Sequence, residues 1–133
     1  MADLCAGIPE GEAETLRFFA PNTLMGVRPF MGEHRYIKFT EPELRGADIH
    51  LRSTPGMTKQ WLSRMLRCHA AIRSSQAPSD EDDPFVLGLS DVLVLETEIG
   101  FVIRVAGQNK QEGDEILRRA QVYLSRRTQA PTN

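Results

Sequence analysis

The sequence predicts an α+β fold, a two-layer sandwich in which a small antiparallel or mixed sheet of about four strands carries two helices on one face. Three observations predict it. Apolar residues recur at spacings of three and four in two separated stretches, Trp61 to Ile72 and Ile116 to Leu124, which marks two amphipathic helices. Segments of strand length that alternate or run apolar precede each stretch, giving the order β-β-α-β-β-α. The chain of 133 residues suits one domain, and 41% hydrophobic residues suffice for a single core without staples.

Residues 1–22 mix Gly7, Pro9 and Gly11 with Glu10, Glu12 and Glu14 and show no sustained period, so they are expected to form a flexible arm with a short helical turn near Glu12 to Phe19. The domain proper is expected at 23–127, and 128–133 as a frayed tail. Thr23 to Phe30 contains strand formers interrupted by Gly26 and Pro29, which restricts it to an edge strand or extended loop. His34 to Thr40 alternates, with Arg35, Ile37 and Phe39 on one face and Tyr36, Lys38 and Thr40 on the other, and Glu41-Pro42-Glu43 is expected to end that strand. Ala47 to Ser53 alternates again. There Ile49 and Leu51 point inward while Asp48, His50 and Arg52 point outward.

Thr54 and Thr58 both offer an N-cap for the first helix, Gly56 favouring Thr58. Trp61, Leu62, Met65, Leu66, Cys68, His69 and Ile72 form its inward stripe. The polar, Pro-flanked and acidic run Ser74 to Pro84 reads as a loop. Val92 to Leu95 and Phe101 to Val105 form a hairpin that reverses at Thr97 to Gly100. Asn109, with Glu112 three residues on, has the form of a capping box. The second helix then runs to about Arg126, with Ile116, Leu117, Ala120, Tyr123 and Leu124 inward. These elements approximate the ferredoxin-like split β-α-β plan, with the His34 to Thr40 strand taking the edge that a last strand would otherwise fill.

Sixteen basic against eighteen acidic residues leave a net charge of -2, so the whole chain has no field that draws it to nucleic acid or anionic lipid. No apolar run reaches the roughly 18 residues of a membrane helix. Cys5 and Cys68 stand far apart in unlike contexts, which favours reduced thiols over a disulfide framework. The start lacks a basic region followed by an apolar one, which makes the cytoplasm the default compartment. Leu4-Cys5-Ala6-Gly7 would instead mark an envelope lipoprotein if Cys5 were a processed N-terminus.

The segment Thr54-Pro55-Gly56-Met57-Thr58 with Trp61-Leu62, then Cys68-His69-Ala70, Gly100-Phe101-Val102-Ile103 and Glu115-Ile116-Leu117-Arg118-Arg119-Ala120, resembles a group of uncharacterised small bacterial proteins. They share a T-P-x-M-T-x-x-W-L segment, a later C-H-x-A, a hairpin ending G-F-x-V and a closing E-I-L-R-R-A helix. The resemblance covers roughly residues 50 to 124 and implies no activity. It implies that relatives hold a His where Arg52 stands and a Cys near Phe85, a fuller metal-ligand set that is replaced here.

The chemistry-bearing residues give two readings of different class. The first is a non-enzymatic interaction module that engages a protein partner or a second copy through the sheet. Its expected surface is Tyr36, His50, Arg52, Val102 and Arg104, with no cofactor. The second is zinc or copper binding by Cys68 or His69 together with His50. Neighbours on a helix diverge by about 100°, so Cys68 and His69 cannot both face one ion, and a buried Cys68 beside a hydrogen-bonded His69 competes with the metal reading. An enzyme is the weakest reading, because no set of nucleophile, base and orienting group can be named. Asp80-Glu81-Asp82-Asp83 lacks the glycine and terminal glutamate of a calcium loop and is expected to be solvated. Lys59, Arg64, Arg67 and Arg73 with Arg118, Arg119, Arg126 and Arg127 could form a basic patch, but without interleaved aromatic residues nucleic acid is not expected as a partner.

Overall fold

The computed structural model describes residues 5–9, 11, 12, 16, 19–75, 83–86 and 91–128. In chain order they form β1 (Leu24–Arg35), β2 (Thr40–Arg52), α1 (Lys59–Ser75), a 3-10 turn (Pro84–Val86), β3 (Asp91–Glu96), β4 (Gly100–Ala106) and α2 (Lys110–Thr128). The sheet order is β1-β2-β4-β3 and every neighbouring pair is antiparallel. Consequently β2 and β3 run parallel with β4 between them, and α1 makes the crossover. The α+β class and the β-β-α-β-β-α order are those the sequence predicts.

Alternation sorts the two faces of the sheet. Ala47, Ile49 and Leu51 of β2 lie in register with Val105, Ile103 and Phe101 of β4, and all six are buried. They meet Leu62 and Leu66 of α1 and Ile116 and Ala120 of α2 in one cluster, so both helices cover the same face. Each fully buried Leu or Ile there contributes about 1.5–3 kcal/mol.

Local chemistry fixes the element ends. Thr54-Pro55-Gly56-Met57 is a turn closed by Met57 N–H on Thr54 O at 3.0 Å, with Gly56 at φ +85°, as a Pro-Gly reversal requires. Thr58 then caps α1, its Oγ1 accepting from Trp61 N–H at 3.0 Å. At α2 both residues of the box accept a backbone N–H, Glu112 reaching Gln108, one residue before the N-cap. Asn109 Oδ1 accepts from Glu112 N–H at 2.9 Å, and Glu112 Oε1 accepts from Gln108 N–H at 2.8 Å.

Four expectations are corrected. First, the strand expected at His34 to Thr40 is the end of a long hairpin: Tyr36 N–H donates to Phe39 O at 2.8 Å, and the chain reverses over Ile37 and Lys38. Pro42 does not end β2, because it pairs with Glu33 of β1 in a stretch where β4 is absent and the missing donor faces no neighbour strand. Second, the 1–22 segment is not wholly a loose arm. Leu16 and Phe19 are 0% and 2% exposed in the core, where Phe19 stacks on Phe85 at 5.9 Å and meets Tyr123 edge-on at 5.7 Å. Third, Cys5 and Cys68 form a disulfide, and Cys5, Ile8 and Ile72 pack against the buried pair Met65 and Cys68 on the flank of α1. Fourth, Trp61 is 36% exposed, at the margin of the helix stripe whose centre is Leu62, Met65 and Leu66.

The acidic loop is corrected at one position. Asp83 is buried and accepts from His69 Nε2 and from Phe85 N–H, so it ties the 3-10 turn to α1. Residues 80–82 and 129–133 lie outside the described residues.

Candidate binding surface

β2 is longer than its partner β4, and that mismatch builds the site. β4 pairs with Gly46 to Arg52 only, whereas β1 continues to pair with β2 from Leu44 to Thr40. The first hairpin therefore projects beyond the four-stranded body as a two-stranded arm. At about 3.3 Å per residue, its strands run roughly 20 Å past Gly46.

Arg45 anchors the arm at its root. It is the β2 residue skipped where the register shifts between Phe30 and Met31. Its guanidinium donates to Glu43 Oε2 at 2.7 Å, to Gln108 O at 2.8 Å and to Glu33 O at 3.0 Å, and its own carbonyl accepts from Gly107 N–H at 2.7 Å. Both strands of the arm and the β4–α2 connection thus converge on one side chain. Gly113 of α2 lies against the same place, where an added Cβ would fall 2.5 Å from Leu44 O. The helix can approach the arm root this closely only with glycine there.

The arm ends in exposed apolar side chains. Ile37 is 102% exposed, Phe39 59% and Tyr36 42%, while Met31, 52% exposed, lies at the root opposite Leu44. His34 meets Tyr36 edge-on and Tyr36 stacks on Phe39, with centroids 4.6 Å apart in both contacts. The Tyr36 phenol is hydrogen-bonded to Glu41, and that bond, followed by the carboxylate's charge, raises its pKa above the ordinary value of 10.0.

The rest of the surface is the sheet face opposite the helices. Arg104 donates to Asp48 through Nε at 2.8 Å and Nη2 at 3.1 Å, and lies 4.1 Å above the centre of the Phe30 ring. The hydrogen bond to Asp48 is the main cause that raises the Arg104 pKa further. Leu93, opposite Arg104, is 49% exposed. At the far end from the arm, Met25, His50, Leu51, Thr97, Glu98, Ile99 and Phe101 line a shallow cleft of about 340 Å³.

Four of the five expected surface residues fall together. His50 pairs with Val102, Asp48 with Arg104 and Arg52 with Gly100, placing His50, Arg52, Val102 and Arg104 on the open face. Val102 itself is buried between its register neighbours Leu95 and His50. Tyr36 stands apart on the arm. Sequence reasoning missed Ile37, Phe39, Met25 and Ile99 as surface residues, although Ile99 lay in a reversal already read as a turn.

The expected metal donors do not converge. The Cys68 sulfur is bonded to Cys5, His69 Nε2 is bonded to Asp83, and His50 lies across the sheet from α1. Among the described residues no three His, Cys, Asp or Glu side chains form a metal-holding group. The expected basic patch is partly engaged: Arg118 and Arg119 both bind Glu115, and Arg127 lies 4.8 Å over Tyr123. Comparison with protein-family models, curated proteins and solved structures gave no match.

Proposed function

We propose that this protein is an interaction module that binds another polypeptide through the arm and the open face of its sheet. The observation that carries the reading is the arm tip, where Ile37 and Phe39 are exposed on a hairpin held by Arg45. Contiguous apolar surface of this kind on a soluble chain marks a contact site, and a bare two-stranded hairpin is only marginally ordered on its own. Anchoring such a tip limits the entropy lost when a partner binds.

The test is in-cell photo-crosslinking with a benzophenone side chain at position 39, at 93 on the open face, and at 121 on the exposed side of α2. Discrete adducts at 39 and 93 but not at 121 are expected. Equal labelling at all three positions, or none at 39, would sink the reading.

A further inference from the structure

We infer that the Cys5–Cys68 bond is the clasp of a redox-operated strap: closed, it holds residues 5–9 over one flank of α1, and opened by a dithiol it uncovers Met65 and Cys68 while the rest of the fold stays in place. Two separate clusters carry the inference. Leu16 and Phe19 belong to the main core, and Leu16 O accepts from the Arg127 guanidinium at 3.3 Å. Cys5 and Ile8 instead pack on a small satellite cluster, the buried pair Met65 and Cys68 with half-buried Ile72 beside it. The N-terminal segment is thus fastened at two places, and the fastening at Leu16 and Phe19 does not use the disulfide. Local opening of a small satellite cluster need not spread to the main core.

The strap lies on the surface. Ala6, Gly7 and Pro9 are exposed, and the bond from Ile8 N–H to Cys5 O at 3.1 Å closes a turn within the strap itself. Arg64 of α1 reaches across to donate to Ala6 O, an exposed hydrogen bond of small net worth beside a covalent link. The two sulfurs differ in access: Cys68 is 1% exposed and Cys5 half-buried, so an incoming thiolate reaches Cys5 first. Its attack on Cys5 Sγ forms a mixed disulfide and releases Cys68 as a thiolate, which takes up a proton. The second thiol of the reductant then displaces Cys5, closing the reductant's own disulfide, so that two electrons have passed to a pair of cysteine thiols. Closure is the reverse, with that disulfide as the oxidant, and the anchor at Leu16 keeps the freed Cys5 within reach of α1. The strap is therefore closed in an oxidising compartment and open in a reducing one. Neither the arm nor the open face of the sheet takes part, so this inference stands or falls apart from the interaction reading.

The full chain, oxidised and after reduction by dithiothreitol, tests it. The reduced chain should keep its far-UV circular dichroism, and the Ile8 amide should lose its protection from hydrogen exchange while those of β2 and β4 retain theirs. N-ethylmaleimide should then label Cys68, unreactive in the oxidised chain, at a rate flat across low urea, as local opening requires. Reoxidation should restore the protection, and Cys5→Ser should label at Cys68 as fast as the reduced wild type. A Cys68 that labels only as fast as the chain unfolds, or an Ile8 amide that stays protected after reduction, overturns the strap. So does a reduced chain that is unfolded, because the bond would then be a staple of the whole fold.

Discussion

β2 crosses two environments in thirteen residues. From Gly46 to Arg52 it has a strand on each side and helices on one face, and its alternation separates buried Ile49 and Leu51 from Asp48, His50 and Arg52. From Thr40 to Arg45 it has one neighbour, and Thr40, Glu41 and Pro42 are all exposed. Strand pairing alone therefore keeps a hairpin extended, but only a covered face dictates which side chains are apolar. Apolar residues on the arm are free of core duty and stay exposed.

Two isoleucines separate the regions most sharply. Ile103→Ala, at a residue 0% exposed in the body, should cost about 2–5 kcal/mol in denaturant unfolding. Ile37→Ala, at the tip, should stay within about 0.5 kcal/mol, the smallest effect in this set. A large loss at Ile37 would mean that the tip is packed, not presented.

Between these extremes, Cys5→Ser removes a bond spanning 63 residues, and the chain-entropy model gives about 4 kcal/mol as its upper value, with about 2 expected after residual structure in the unfolded chain is allowed for. The loss should appear as an unfolding midpoint shifted toward that of the reduced wild-type chain. Arg45→Ala removes three hydrogen bonds and should cost about 1–2 kcal/mol. Its signature is regional: amides of 31–36 and 40–44 exchange faster while those of β4 keep their relative protection. Uniform loss of protection would mean that the arm and body are one cooperative unit.

The pH dependence should also differ by region. Glu115, between Arg118 and Arg119 on α2, has its pKa lowered from 4.5 to about 2 by hydrogen bonds to those two arginines. A lowered carboxylate pKa stabilises above the unfolded value and loses that contribution as pH falls from about 4.5 through about 2. Because the pair is part-exposed, the effect should be below about 1 kcal/mol, and Glu115→Gln should remove it. Tyr36 behaves oppositely, its raised pKa favouring the neutral phenol, so its bond to Glu41 holds below pH 10.0 and is lost as pH rises through the folded value. Phenol absorbance should show Tyr36 titrating late, and Glu41→Gln should bring it earlier.

Legibility in the sequence follows the same division. Ile49, Leu51, Ile103 and Val105 could be read because one buried face imposes alternation on adjacent residues. The arm is illegible where alternation at Ile37 and Phe39 has no core to face, and Pro42 looks like a stop because nothing local shows that β4 ends before it. Leu16 and Phe19 sit among Gly, Pro and Glu residues, and Phe19 is buried against Phe85 and Tyr123, distant in the chain. The Cys5 and His69 partners lie 63 and 14 residues away, beyond the reach of any helical or strand period.

The Cys5–Cys68 bond also orders the folding search. It closes a ring containing β1, β2 and most of α1, and leaves β3, β4 and α2 outside. In an oxidised unfolded chain the ring's ends are already joined, so the entropic cost of bringing its N-terminal segment to α1 is removed. Outside the ring, β4 must still pair with the free side of β2, a contact across 56 residues at Asp48 and Arg104, and non-local pairings of this kind are slow to form. A refolding rate limited by that second half should be nearly indifferent to changes in the arm.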